Sequence, residues 1–333
     1  NGVAIDGATE ATYRLTQAEV GSQITVTAGF TDGDGNAESK TSAATEAVEN
    51  VNDLPTGTVT ITGTATEDET LTAVSTLEDE DGLGEVSYQW LANGEAIDGA
   101  TASTLTLGQA QVGKEISVTV SYRDLQGTAE SVTSEATTAV ENVNDLPTGT
   151  VTITGTATED ETLTAVSTLE DEDGRGTLSY QWLADDEAID GETSNTLTLG
   201  QSEVGKAISV SVSYTDAYGA AESVTSAATA AVENVNDAPV AFEVTVTGDA
   251  IENVTLSAEA TVTSDEDGLP DPLEFAYQWQ SSSDDGVSWA DIEGATVSTF
   301  ELDDAQVDQQ VRVVASYRDL QGTAESVTSE ATT

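Results

Sequence analysis

Short runs in which Val, Ile, Leu and Ala alternate with Thr and Ser recur along the chain, a period of two that strands with one buried face require. Taking residues 56–142 as an example, "TGTVTITG" (56–63) is followed by an acidic turn, "TEDE" (66–69), and then by "TLTAVSTL" (70–77). The loop "EDEDGLGE" (78–85) leads into "VSYQWLA" (86–92), and Asn93-Gly94 marks a hairpin into "GEAIDGA" (94–100). "STLTLGQ" (103–109), "EISVTVSYRD" (115–124) and "TAESVTSEATTAVEN" (128–142) complete the set. Seven short strands with turns about every 8–12 residues and no long helical stretch predict an antiparallel β-sandwich.

The pattern repeats. "VENVNDLP" stands at 48–55 and again at 140–147, and "VENVNDAP" follows at 232–239, a step of 92 residues each time. Residues 49–82 and 141–174 are identical. Self-similarity at a fixed period counts structural units directly. It divides the chain into an incomplete copy at 1–49, full copies at 50–141 and 142–233, and a divergent copy at 234–333. The incomplete copy lacks the first three strands and their Trp, so it is expected to have an open core and to be the least stable part. Opening mid-pattern at Asn1, the sequence reads as part of a longer chain.

Trp90 and Trp182, and with a short insertion Trp279, sit on the third strand of their copies, and Tyr122 on the sixth. That placement resembles the immunoglobulin-like sandwich, in which a third-strand Trp packs between the sheets. With no Cys in the chain, apolar contacts take the place of an inter-sheet disulfide. Trp289 lies on a hairpin, "SSSDDGVSWADIEG" (281–294), found only in the last copy. Two readings stand for it: packing over its own hairpin, or a platform for stacking a sugar, which would make the last copy a carbohydrate- or protein-binding module.

Eight Lys and Arg stand against 62 Asp and Glu, for a formal net charge of −54. Such a chain repels nucleic acid and anionic lipid, and no apolar run is long enough for a membrane span. Self-repulsion of this size also works against a compact state unless cations neutralise it, which makes Ca2+ or a salt-rich medium the first candidate. There is no His, Cys or Met, so the commonest general base, thiol nucleophiles and thiolate metal sites are all missing. Carboxylate pairs arise by chance at this density, and near-identical copies offer no unique cleft; an enzyme is not expected.

The acids fall in loops at matching ends of the predicted sandwich. The loop between strands two and three, the sixth-to-seventh turn and the entering chain share one end. This brings Asn144 and Asp145 beside Asp171, Asp173 and Asp216. Glu67, Asp68 and Glu69, from the first-to-second turn of the preceding copy, face them across the joint. By the same step the earlier joint has Asn52, Asp53, Asp79, Asp81 and Asp124. The later one has Glu159, Asp160, Asn236, Asp237, Asp265, Asp267 and Asp319. Six or more oxygens converging on one point suit Ca2+, which takes 6–8 oxygen ligands, better than Mg2+ with its stricter octahedron. The competing reading is a solvated acidic surface. A second candidate is "TDGDGNAES" (31–39), where Asp32, Asp34, Asn36 and Glu38 alternate as at the start of a calcium loop; a plain hairpin turn explains it equally well.

Taken together, these motifs resemble the immunoglobulin-like or cadherin-like extender repeats of giant bacterial RTX-type surface adhesins, over nearly the whole chain. The joint is similar to the cadherin linker, Asp-x-Asn-Asp-Asn-x-Pro followed by an Asp-x-Asp in the next domain. Asp171-Glu172-Asp173 matches the latter, whereas Asn142 stands where that linker has Asp and the Pro comes one residue early. On this likeness Asn50, Asn142 and Asn234 join the candidate ligands. The resemblance implies an all-β, extended rod of tandem immunoglobulin-like (cadherin-like) β-sandwich domains. It would be monomeric, extracellular, stiffened by Ca2+ at joints between neighbouring repeats, and would hold a distal binding region for adhesion or biofilm formation. A glycan or surface ligand would be met elsewhere in the parent protein.

Overall fold

The computed structural model describes residues 2–332, in two compact units, Asn1–Asp145 and Leu146–Thr333. In the first unit, β1 (Thr27–Thr31) and β2 (Ala37–Thr41) form an isolated hairpin. After it come β3 (Val59–Thr62), β4 (Thr70–Ser75), β5 (Ser87–Ala92), β6 (Glu95–Ala96), β7 (Thr104–Thr106), β8 (Ile116–Arg123) and β9 (Ala129–Thr133). These pair as two antiparallel sheets, β3-β4-β7 and β6-β5-β8-β9.

The second unit holds the same design twice. β10 (Val151–Thr154), β11 (Thr162–Ser167) and β14 (Thr196–Thr198) form one sheet. β12 (Ser179–Ala184), β13 (Glu187–Ala188), β15 (Ile208–Thr215) and β16 (Ala221–Thr225) form its partner, in the order β13-β12-β15-β16. β17 (Glu243–Thr247), β18 (Thr255–Thr261) and β21 (Thr299–Glu301) then make a third sheet. β19 (Ala276–Ser282), β20 (Ala290–Asp291), β22 (Gln310–Arg318) and β23 (Ala324–Thr328) make the fourth, ordered β20-β19-β22-β23. The seven strands read from each full copy are present, and the fold is all-β and immunoglobulin-like.

The sandwich closes on the third-strand Trp. Trp90, Trp182 and Trp279 have no exposed surface, and each indole N–H donates to a main-chain carbonyl at 2.9 Å (Ala102, Ser194 and Val297). A buried indole needs that partner, since an unpaired donor in the core is costly. The Gln beside each Trp explains the Tyr-Gln-Trp motif. Gln181 Nε2 donates to the carbonyls of Trp182 and Ile189, pinning β12 to the segment that returns along it. Around Trp182 pack Leu163, Ile208, Val210 and Val212, all fully buried. In the last copy Ala315 takes the place of Val212, and Phe242, Phe275 and Phe300 supply aromatic bulk around Trp279 and Tyr317.

The incomplete copy shows what the missing strands would do. Val26 and Phe30, the counterparts of Val118 and Tyr122, are 64% and 65% exposed, against 0% and 4%.

The end of each copy is built for a handover. After β16 the ladder stops, and side-chain hydroxyls replace it: Ser226 accepts from the N–H of Val210, and Thr229 from that of Ile208. The chain then changes partners. Val232 pairs with the 204–206 segment, and Glu233 exchanges main-chain bonds with Ala157 and Glu159 in the turn between β10 and β11. Residues 226–233 thus lead from one sheet to the far end of the sandwich, where the linker begins.

Replacing Trp182 by Ala is expected to destabilise its copy by about 3–5 kcal/mol, the usual cost of truncating a buried aromatic. Denaturant unfolding followed by far-UV circular dichroism would measure it; a loss below about 1 kcal/mol would contradict a closed core.

Candidate metal centre

Three carboxylates meet in the second unit. Glu159, Asp237 and Asp267 each present an oxygen, and these oxygens lie within 4.8 Å of one another. Glu159 is 3% exposed and Asp267 1%, with Asp237 half-buried. They come from three places: the β10–β11 turn, the linker after Glu233, and the loop between β18 and β19.

Each is held by backbone. The β10–β11 turn is closed by Asp160 at φ 63°, whose N–H bonds Leu199, while the Glu159 N–H bonds the carbonyl of Glu233. Glu159 Oε2 in turn accepts from the N–H of Val235 at 3.1 Å. Asp237 donates its N–H to Asp267 Oδ2 at 2.9 Å, tying linker to loop. Asp267 is oriented by Asp265, which accepts its N–H at 3.1 Å and takes the Tyr317 hydroxyl on its other oxygen.

The same brace recurs in the other full copies. Asp79 accepts from Asp81 N–H and from the Tyr122 hydroxyl at 2.5 Å; Asp171 accepts from Asp173 N–H and the Tyr214 hydroxyl, also at 2.5 Å. Burial pushes those Tyr hydroxyls well above the ordinary range, and the bonded carboxylates raise them further. The first and second Asp of the Asp-Glu-Asp loop therefore differ in duty. The first gives both oxygens to protein donors and holds the loop; the second, at Asp81 and Asp267, is turned to the linker. Glycine permits the fit: a Cβ on Gly176 would stand 2.1 Å from the Thr215 carbonyl, so only Gly lets the loop settle on β15.

Residues bonded to these carboxylates, or adjacent in sequence to ones bonded at or beside them, carry acceptors with no donor among the described residues. Asn234 Oδ1, Gln201 Oε1 and Asp319 Oδ2 are buried and unbonded. Their placement ties them to the centre. Asn234 precedes Val235, which bonds Glu159; the Gln201 amide nitrogen approaches Asp267 Oδ1 at 3.5 Å; Asp319 precedes Leu320, whose N–H bonds Gly268 beside Asp267. Burial raises the Glu159 carboxyl above its usual pKa. The Val235 N–H pulls it back, and the charges of Asp237, Asp267 and Asp160 push it up again. Buried acceptors that lack donors and repel one another are a cradle for a hard cation.

The first unit contains a related arrangement. Asp81, 2% exposed, accepts from Asp53 N–H and from the Gln17 amide, both at 2.8 Å, while Asn50 Oδ1 and Asp124 Oδ2 are buried without partners. The incomplete copy has no counterpart of Glu159 to add. Elsewhere in this unit, Glu67 is buried and accepts from Val143 N–H at 3.2 Å, and Asn142 Oδ1 is buried and unbonded. Asp68, at φ 64°, is exposed in its turn, as is Asp160. Asp145 is half-buried in the first unit; Asp173 and Asp216 are buried in the second.

Three further residues take clear structural duties. Asn52 and Asn236 are exposed and reach outward: Asn52 donates to Glu130 at 2.7 Å and Asn236 to Glu325 at 3.0 Å, fastening the linker to the last strand of the next copy. Asn144 is exposed too, its amide 3.4 Å from the Asp145 carbonyl. Asp124, Asp216 and Asp319 each use one oxygen to cap the turn that follows them, on the N–H groups of Thr128, Ala220 and Thr323 among others. For Asp124, burial alone would raise the carboxyl, but the Thr128 and Gln126 N–H groups outweigh it and hold it low.

Asp32 closes its turn in the same way. Oδ1 accepts from Asp34 and Asn36 N–H, and Oδ2 from the Asn36 amide, with Asp34 and Asn36 exposed and Asp32 half-buried. Trp289 is half-buried over its hairpin, its N–H on the Gly286 carbonyl and the Arg312 guanidinium 4.1 Å from the ring centre. One face of the ring is thus covered by a cation. Gln201 was not singled out in the sequence, although the recurring "TLGQ" at 106–109 and 198–201 carries it.

Comparison with known proteins gives likenesses at three levels. Residues 243–333, the last copy, match a family model described as a domain of unknown function (DUF8696). A curated relative, the highly immunogenic outer capsid protein of Enterobacteria phage T4, is 28% identical over 255 residues, which is 75% of this chain and 65% of that protein. The chain therefore spans just under two thirds of that relative. Among solved structures, a Ca2+-stabilised adhesin that helps an Antarctic bacterium reach out and bind ice is 16% identical, with 93% of this chain and 80% of that one covered and a TM-score of 0.32. A tetra-tandem repeat in the extending region of a large adhesion protein is 17% identical, with 94% and 82% covered and a TM-score of 0.29. Among the described residues no helix is long and apolar enough to cross a membrane.

The raised Glu159 carboxyl has a signed consequence. The folded protein binds that proton more tightly than the unfolded chain, so the contribution to stability is full below the ordinary Glu range and is lost as pH rises through the raised value. In chelator, Glu159→Gln should therefore melt close to wild type at about pH 4 and above it at about pH 7. Melting curves that stay superimposed at both pH values would contradict a strained carboxylate.

Proposed function

We propose that the chain is a structural extender region of a bacterial cell-surface adhesin, non-catalytic, whose tandem sandwiches are stiffened by Ca2+ bound at their joints. The observation that carries this reading is the meeting of Glu159, Asp237 and Asp267. The buried, unbonded oxygens of Asn234, Gln201 and Asp319, on residues bonded to that cluster or adjacent to ones bonded at or beside it, support it. Glu159 and Gln201 belong to the third copy, Asp267 and Asp319 to the fourth, and Asn234 and Asp237 to the linker. A cation held by all three would bind the two copies into one body. The donors are all oxygen and at least six in number, which favours Ca2+ over Mg2+, since Mg2+ keeps its waters and demands an octahedron. Bound Ca2+ would remove the repulsion among carboxylates and supply the missing partner of each unbonded oxygen.

An extender needs few chemically distinct parts, only the same module and the same joint used again. Identity of residues 49–82 with 141–174 supports such a role. A module selected for distinct ligands would be expected to differ in its loops, yet the loops are what these copies share. The adhesive tip, and anything that it binds, would lie outside these residues at the cell surface.

Calorimetric titration of chelator-stripped protein with Ca2+ should show saturable binding that falls in Asp237→Ala/Asp267→Ala. At a hundredfold excess over Kd, one such site would add about 2.7 kcal/mol to the second unit. Small-angle scattering should register a change of maximum dimension between Ca2+ and chelator. No heat of binding, together with identical scattering in the two conditions, would sink the proposal.

A further inference from the structure

The two-residue turn between β5 and β6 is Asn93-Gly94, with φ of 50° and 80°. Asn93 is the one Asn followed by Gly among the described residues; the same pair at Asn1-Gly2 includes a residue outside them. Both turn residues are exposed, and a Cβ built on Gly94 would meet nothing within 4 Å. The Asn93 side chain is held at its oxygen only. Oδ1 accepts from the N–H of Glu115 at 2.9 Å, beside the main-chain bond from Asn93 N–H to the Glu115 carbonyl at 2.8 Å, and Nδ2 has no hydrogen-bond partner among the described residues.

We infer that Asn93 is a site of spontaneous modification, at which the side-chain amide is hydrolysed to a carboxylate by way of a cyclic imide. The main-chain nitrogen of Gly94 attacks Asn93 Cγ, forming an N–C bond. The Cγ–Nδ2 bond breaks, and ammonia leaves with the proton that Gly94 N carried. Water then opens the imide. Its hydroxyl goes to Cγ, breaking the Cγ–N bond and giving aspartate, or to the main-chain carbonyl carbon of residue 93, breaking the C–N bond there and giving the β-linked isomer. In either case its proton goes to Gly94 N. The balance is asparagine plus water giving aspartate plus ammonia, with no other reactant.

Three features favour the step here. Gly94 leaves the nucleophile without a side chain in its way. The Glu115 N–H stands on the oxygen where negative charge develops in the tetrahedral intermediate, the kind of fixed donor that stabilises an oxyanion. The leaving nitrogen is free in solvent.

The chain itself contains the product's structure. At the same position in the third copy stands Asp185, with the same φ of 50°. Asp185 Oδ1 accepts from Ala207 N–H at 3.0 Å, and its own N–H bonds the Ala207 carbonyl at 2.9 Å. A carboxylate thus fits the turn and makes the bonds that Asn93 makes. Asp186 follows it at φ 67°, so a side chain at the second turn position fits too.

The test is peptide mapping by mass spectrometry of the full chain, held folded at mildly alkaline pH, beside a sample unfolded in urea. Conversion at Asn93 in the folded protein, to aspartate or its β-linked isomer, ahead of every other described Asn is the result expected. Gly94→Asp, which copies the third repeat, should slow it roughly tenfold, equal to 1.36 kcal/mol in the barrier. Asn93→Asp should melt with wild type. The inference is overturned if Asn93 stays intact in the folded chain while the urea sample converts, if Gly94→Asp converts as fast as wild type, or if Asn93→Asp unfolds the copy.

Discussion

A buried carboxylate must be met by donors or by a cation, and this chain has few charged donors to offer. With eight Lys and Arg in the whole sequence, nearly every buried acid is satisfied by main-chain N–H groups or a Tyr hydroxyl. Even the arginines are spent elsewhere: Arg123, Arg175 and Arg318 each donate to a backbone carbonyl. The loops take their shape from this constraint. Asp265 bends its loop by accepting from Asp267 N–H, and Asp319 rounds its turn by accepting from Thr323 N–H. Backbone donors run out at Asp319 Oδ2 and Asn234 Oδ1, which are buried and unbonded among the described residues.

The carboxylates of the second unit gather at a joint because of how each copy ends. Ser226 and Thr229 stand in for ladder partners, which frees the chain to leave one sheet and pair with the far turn. Glu233 then fixes both its own position and that of Glu159 through reciprocal main-chain bonds. The exit of one sandwich and the acid that serves the joint are thereby set by the same pair of residues. Asn236, fastened to Glu325, aligns the linker with the copy it enters. Its bond is neutral-to-charged and exposed, so it orients more than it stabilises.

Most of the fold was legible because Val and Thr alternate, the turns are marked by Gly and Asn, and a third-strand Trp identifies the core at Trp90, Trp182 and Trp279. The ends at which acids gather followed from topology alone. What could not be read was the allocation of oxygens. Asp265 and Asp267 are the same residue type two positions apart, and only the reach of Tyr317 assigns the first to bracing. Likewise Asn234 and Asn236 alternate in one extended linker, so their side chains take opposite sides: one oxygen is buried and unbonded, the other amide lies in solvent on Glu325. Gln201 escaped notice because its position on a short turn after β14 has no acidic signal, and Asp304 occupies the matching place in the last copy.

The same allocation separates two explanations of an acidic chain. Acids on a solvated face are cheap, since water and salt screen them, and they need no common geometry. Asp32 with its turn, and the exposed Asp68 and Asp160, are of that kind. Glu159 and Asp267 are not: each is almost wholly withdrawn from water, and burial together with neighbouring charge raises the Glu159 carboxyl. Monovalent salt acts through the screening length and reaches such a cluster weakly, whereas a divalent ion coordinated within it answers both the desolvation and the repulsion. An acidic surface would account for solubility at −54, but it gives no reason for three carboxylates from two copies and their linker to be folded inward upon one another.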